Sequence, residues 1–189
     1  MNKFISLTGV AVGLVTLALC APALAKDKNG QSSPSENGLG NAQTEQVLAD
    51  AIRLCDLMVQ DKPAIVDALE NEGWTHEILR NIGNSIFYKE LSGDKDYPGV
   101  GAARIWGFIE DYPGNFIGYC SLTITDPEVR FSISGVNEID HMVGEFEQEG
   151  EEVFGAWRDI SSQPSIFIHA YHNLDTFTYQ ITRINQLEN

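Results

Sequence analysis

Arg104–Thr125 reads RIWGFIEDYPGNFIGYCSLTIT. Asp111-Tyr112-Pro113-Gly114-Asn115 at its centre is dense in turn formers. Proline presets φ, and Gly114 or Asn115 takes a positive φ without a Cβ clash. The flanks therefore read as the two strands of a hairpin. Side chains alternate along a strand, so Phe116, Gly118, Cys120, Leu122 and Ile124 share one face, and Ile117, Tyr119, Ser121, Thr123 and Thr125 the other. The Cys120 face is the apolar one and belongs on the core. On the outgoing strand Trp106 and Phe108 share a face with Arg104 and Glu110, while Ile105 and Ile109 lie opposite. Both faces of that strand are thus at least partly covered. Gly107 and Gly118 fall near mid-strand, where glycine marks a bulge or another backbone packing close, a bulge in a strongly twisted sheet being preferred over a ligand site.

Cys120 needs a partner. The chain holds three cysteines, and Cys20 lies in a leader. Residues 1–25, MNKFISLTGVAVGLVTLALCAPALA, have a short positive start at Lys3, an uncharged apolar run from Phe4 to Leu19, and the small-x-small pattern Ala23-Leu24-Ala25. These are the parts of a secretory signal peptide cleaved after Ala25. The apolar run is short for a membrane span, which takes about 20 residues. Lipidation at Cys20 ranks behind cleavage, because bulky Leu19 stands where a small residue is expected. Export to an oxidising compartment favours a Cys55–Cys120 bridge. The leader's style points to the periplasm first and the external medium second, with no stable membrane anchor after cleavage.

The chain carries 27 acids against 12 Lys and Arg, a formal net charge of −15. The leader holds one of the bases and no acid, so its removal leaves the rest more negative still. Nucleic acid and anionic lipid are repelled by such a chain, and a basic partner is attracted. Residues 26–43, rich in Gly, Ser, Asn and Gln, read as a flexible tether. Residues 44–189 have the length of one domain.

Within that domain Thr44 caps a helix to about Gln60, with Val47, Leu48, Ala51, Leu54, Cys55 and Met58 as its apolar stripe. Pro63 opens a second helix, buried through Ile65, Val66, Ala68 and Leu69 and ended by Gly73. Glu77 to Ile82 fits a helix, Ser85 to Leu91 a strand, and Ser92 to Gly101 a loop. After the hairpin, Val129 to Ser134 fits a short strand. Asn137 caps a helix to about Glu149, with Ile139, Met142, Val143 and Phe146 as its core stripe. Phe154–Ser161, Ser165–His172 and Phe177–Ile184 are three further strands. Helices segregated from strands give an α+β fold: a single antiparallel sheet of about six strands, with two N-terminal helices and one later helix packed mainly on one face.

No catalytic signature or phosphate-cradling glycine loop is present, and no cofactor is implied. Asp94 and Asp96 lack the remaining ligands of a calcium loop. His169 and His172 are three apart on a strand, so they point to opposite faces and cannot chelate one metal. The leading expectation is a small, non-catalytic exported protein that binds a ligand or protein partner, a small apolar ligand included. Its support is a surplus of aromatics, of which Trp106, Phe108, Tyr119, Phe167 and Tyr171 fall on strands, although filling the core is the simpler use for them. The first alternative is a hydrolase with carboxylate or histidine chemistry built on His169 or His172. The second is an acidic inhibitor or immunity-like protein for a basic exported enzyme, binding through Glu138, Glu145, Glu147, Glu149 and Glu151.

Overall fold

A computed structural model describes residues 37–80, 87–139, 141–149, 152–159 and 163–186. The leader, the first part of the tether, Asp140 and Glu151 lie outside them. Two helices come first, α1 at Asn37–Val59 and α2 at Ala64–Asn71. Eight strands follow: β1 Thr75–Arg80, β2 Lys89–Tyr97, β3 Gly101–Tyr112, β4 Asn115–Thr125, β5 Val143–Glu149, β6 Glu152–Asp159, β7 Ser165–His172 and β8 Thr176–Gln186. They form one antiparallel sheet in the order β1-β2-β3-β4-β8-β7-β6-β5. The chain lays down half of the sheet as a meander and crosses to the far edge through a turn of 3-10 helix at Ser134–Glu138. It then returns as a second meander, so that β8 closes against β4.

The α+β class and the single antiparallel sheet are as expected; the details differ. The sheet has eight strands rather than about six, and the described residues hold two α-helices rather than three. The expected helix Asn137–Glu149 is replaced by the 3-10 turn and β5. Thr75–Arg80 is a strand where a helix was expected, and the expected loop after Ser92 is mostly β2 continuing to Tyr97. Val129–Ser134 forms no strand. The first helix starts before Thr44, which sits buried within α1 rather than capping it.

α1 packs across β3, β4 and β8, and α2 against α1 and β1. The α1 stripe Val47, Leu48, Ala51, Leu54, Cys55 and Met58 joins Ile105, Ile109, Cys120, Leu122, Ile124 and Ile181 in one buried cluster. Cys55 and Cys120 are bridged, with Cα atoms 5.2 Å apart. Of the two causes expected for the mid-strand glycines, close packing of another backbone holds and the bulge does not. The β3–β4 register runs unbroken from Ala102↔Thr125 to Tyr112↔Asn115, so no bulge exists there. A Cβ on Gly118 would run into the Val59 backbone, and one on Gly107 would meet the Tyr119 carbonyl oxygen at 2.6 Å and Met58 at 3.0 Å. Both glycines let the end of α1 lie directly on the sheet.

The helix ends are fixed locally. Gly73 has φ 78, and its N–H and that of Trp74 donate to the Glu70 and Leu69 carbonyls. That is the paired C-terminal closure for which glycine is favoured. Asp61, at φ 52 in the α1–α2 link, accepts a 2.7 Å hydrogen bond from Lys89 Nζ, whose side chain is fully buried.

Candidate functional site: the helix-free face of the sheet

Because register is continuous across the sheet, residues opposite one another form rows. One row on the face away from the helices runs Arg158, Phe167, Thr182, Tyr119, Phe108, Glu90. The next runs Ala156, His169, Gln180, Ser121, Trp106, Ser92. Trp106, Phe108 and Tyr119 are thereby grouped at the β3–β4 half of this face, all of them half-buried. The Phe108 ring lies 5.3 Å from that of Tyr119 and 4.3 Å from that of Phe87, stacked on both. Trp106 meets Tyr119 edge-on at 5.5 Å and donates its Nε1–H to Glu90 at 2.9 Å. The simpler expectation for the aromatics, filling the core, holds for Trp74, Trp157, Phe177 and Tyr179. It fails for this cluster, which the sheet carries on its outer side.

On the β5–β7 half, the same face opens into a groove of about 730 Å³. Phe154, Ala156, Phe167 and His169 line its base, with Glu145, Glu147 and Arg158 also facing it. His169 is exposed, and its ring lies 6.4 Å from that of Phe154, which is itself 55% exposed. Arg158 and Phe154 were not singled out in the sequence. The signal for them was alternation: both stand two positions from Ala156, on the side of β6 opposite Val153, Gly155 and Trp157.

The acids expected to line a helix are distributed differently. Glu145, Glu147 and Glu149 alternate along β5 and point to the helix-free face, whereas Glu138 is exposed in the 3-10 turn. Trp157 explains why a strand forms here. Its indole lies flat over Gly155, beside Phe146 and Gly144, and donates Nε1–H to Asn137 Oδ1 at 2.6 Å. Side chains at 144 and 155 would occupy the space of that ring, so the two glycines and the tryptophan form one packing unit.

His169 and His172 do lie on opposite faces. His172 is buried on the helix side, where its ring lies 5.9 Å from Phe131. Asp94 and Asp96 sit on β2, and among the described residues no three His, Cys, Asp or Glu side chains converge as a metal site does. A second polar cluster joins α1, α2 and β2. Asp50 accepts from Tyr97 at 2.9 Å, Gln46 at 3.0 Å and Arg53 at 3.3 Å, and Arg53 also bonds Glu72 at 2.7 Å. Burial, then the Asp50 carboxylate, pushes the Tyr97 phenol well above its usual range, so it remains a donor. With its groups paired among themselves, this cluster reads as a latch between elements.

No helix among the described residues is long and apolar enough to cross a membrane. Comparison with models of known families, with characterised proteins and with solved structures finds no match to this chain.

Proposed function

We propose that the chain is an exported, non-catalytic binding protein that uses the helix-free face of its sheet to hold a flat apolar ligand or the apolar surface of a protein partner. The observation that carries this reading is the connected cluster of Phe87, Trp106, Phe108 and Tyr119 on a face that neither described helix packs against. Contiguous aromatic surface left outside a core is a mark of binding sites. The bridge and the acidic surface suit an oxidising compartment, with the periplasm as first choice and the external medium as second.

Titration with a neutral solvatochromic dye tests the reading. Trp74 and Trp157 are buried, which leaves Trp106 as the tryptophan most open to solvent. Saturable dye binding with a change in Trp106 emission is expected. It should be lost in Trp106→Ala/Phe108→Ser, with circular dichroism unchanged. Equal binding by wild type and variant would overturn the reading. The rival, a hydrolase, would have to be built at the groove where His169 shares walls with Glu145 and Glu147. Turnover on a panel of ester and peptide substrates, abolished by His169→Ala, would favour it instead.

A further inference from the structure

Among the described residues β5 forms one end of the sheet, and all seven of its residues are exposed. An edge strand leaves the backbone N–H and C=O groups on its outer side free to pair with another chain. Large apolar side chains gather here as well: Val143 is 73% exposed, Phe146 39% and the neighbouring Phe154 55%. The edge is flanked by a depression on each side. On the helix-free side is the groove walled by Glu145 and Glu147; on the other is a smaller hollow of about 270 Å³ lined by Phe146, Phe131 and Ile133 together with Arg130, Ser132 and Gln148. A strand added beside β5 would send alternate side chains towards these two places, which is how strand addition gains specificity.

We propose that β5 is a docking edge for an extended segment of a partner protein, in which Lys or Arg alternates with apolar residues. The basic set lies against Glu145, Glu147 and Glu149 on the helix-free face, and the apolar set covers the exposed Phe146 on the other. Charge selects this occupant. Opposite charges directly across two strands attract and like charges repel. The same rule disfavours a second copy of the chain paired antiparallel about Phe146, which sets Glu145 opposite Glu147. The proposal rests on the reading of the chain as a binding protein, and it adds the partner's chemistry and the mode of contact.

The test uses the full chain and a fluorescent peptide of alternating Lys and Val, matched in length to β5. Two controls accompany it: the same peptide with Glu for Lys, and the Lys peptide N-methylated at alternate residues to block backbone pairing. Saturable binding of the Lys peptide alone is expected. It should weaken about tenfold in Glu145→Gln/Glu147→Gln/Glu149→Gln, about 1.4 kcal/mol spread over three cross-strand charge pairs. It should also weaken between low and physiological salt, where the screening length falls to about 8 Å. Equal binding of the N-methylated peptide means attraction without strand addition and overturns the proposal, as does equal binding by the triple variant. If the Lys peptide fails while the neutral dye still binds at Trp106, this inference falls and the binding face stands. If both fail, both readings fall.

Discussion

Lys89 and Tyr179 are each fully buried, and their charge states have opposite consequences. Lys89 meets Asp61, which is 25% exposed, so water reaches the pair from one side only. Replacing Asp61 with Asn keeps a residue that tolerates positive φ and removes the counter-charge. A cost of about 2–3 kcal/mol is expected in urea melts, below the full range for a dry pair because of that partial exposure. Lys89→Met should cost much less, and Lys89→Met/Asp61→Asn should recover most of the loss. Tyr179 has its phenol pushed up by burial and then by the charge of Asp56. The unfolded chain releases this proton near pH 10, while the folded chain keeps it. The phenol's contribution is therefore whole below pH 10 and is lost as pH rises above it. Stability melts across the alkaline range should show wild type losing about 1.4 kcal/mol per pH unit more than Tyr179→Phe. Parallel curves for the two proteins would show that the hydroxyl already ionises in the fold.

Among the elements, two glycines separate what a turn requires from what packing requires. Gly114 has φ 80 and open space around it, so Gly114→Ala should cost only the backbone strain, about 1 kcal/mol. Gly118 has no unusual φ, yet an added Cβ meets the Val59 backbone. Backbone cannot swing aside as a side-chain tip can, so α1 must lift from β4. Gly118→Ala should cost about 3 kcal/mol in thermal or urea unfolding. Equal costs for the two substitutions would mean that α1 does not press on the sheet. β5 shows the converse, an element whose local sequence supports two structures. Ile139, Met142, Val143 and Phe146 recur at helical spacing, and glutamate favours helices. Glu145, Glu147 and Glu149 also alternate at strand spacing. Local propensity leans to the helix; pairing with β6 and the Trp157 indole over Gly155 decide for the strand.

For the whole molecule, the bridge between α1 and β4 spans a sequence separation of 65. Chain entropy for a loop of that length gives about 4 kcal/mol, a large part of the stability of a typical domain. Cys55→Ser/Cys120→Ser, or reduction of the wild type, should lower the urea midpoint and raise the slope, because the unfolded chain is more expanded without the bridge. An unchanged midpoint would place the stability elsewhere. The bridge also pins α1 over the β4–β8 pair, where the two meanders join. Its loss should therefore be felt across both halves of the sheet.

Some of this was legible in residue order. Turn chemistry at Pro113-Gly114 and strict alternation on either side placed β3 and β4 to within a few residues. The α1 stripe and the face of β4 each put a cysteine on the core, and the export signal then favoured pairing Cys55 with Cys120. These depend on local sterics and burial, which neighbours in sequence report. The insertion of β8 between β4 and β7, the choice of strand for Val143–Glu149, and the gathering of Trp106 and Phe108 with Tyr119 on the side away from the helices were not legible. Each is settled by contacts between residues far apart in the chain. Glu145 carries the same charge on a helix or a strand; only its place on the outermost strand makes it part of an open edge.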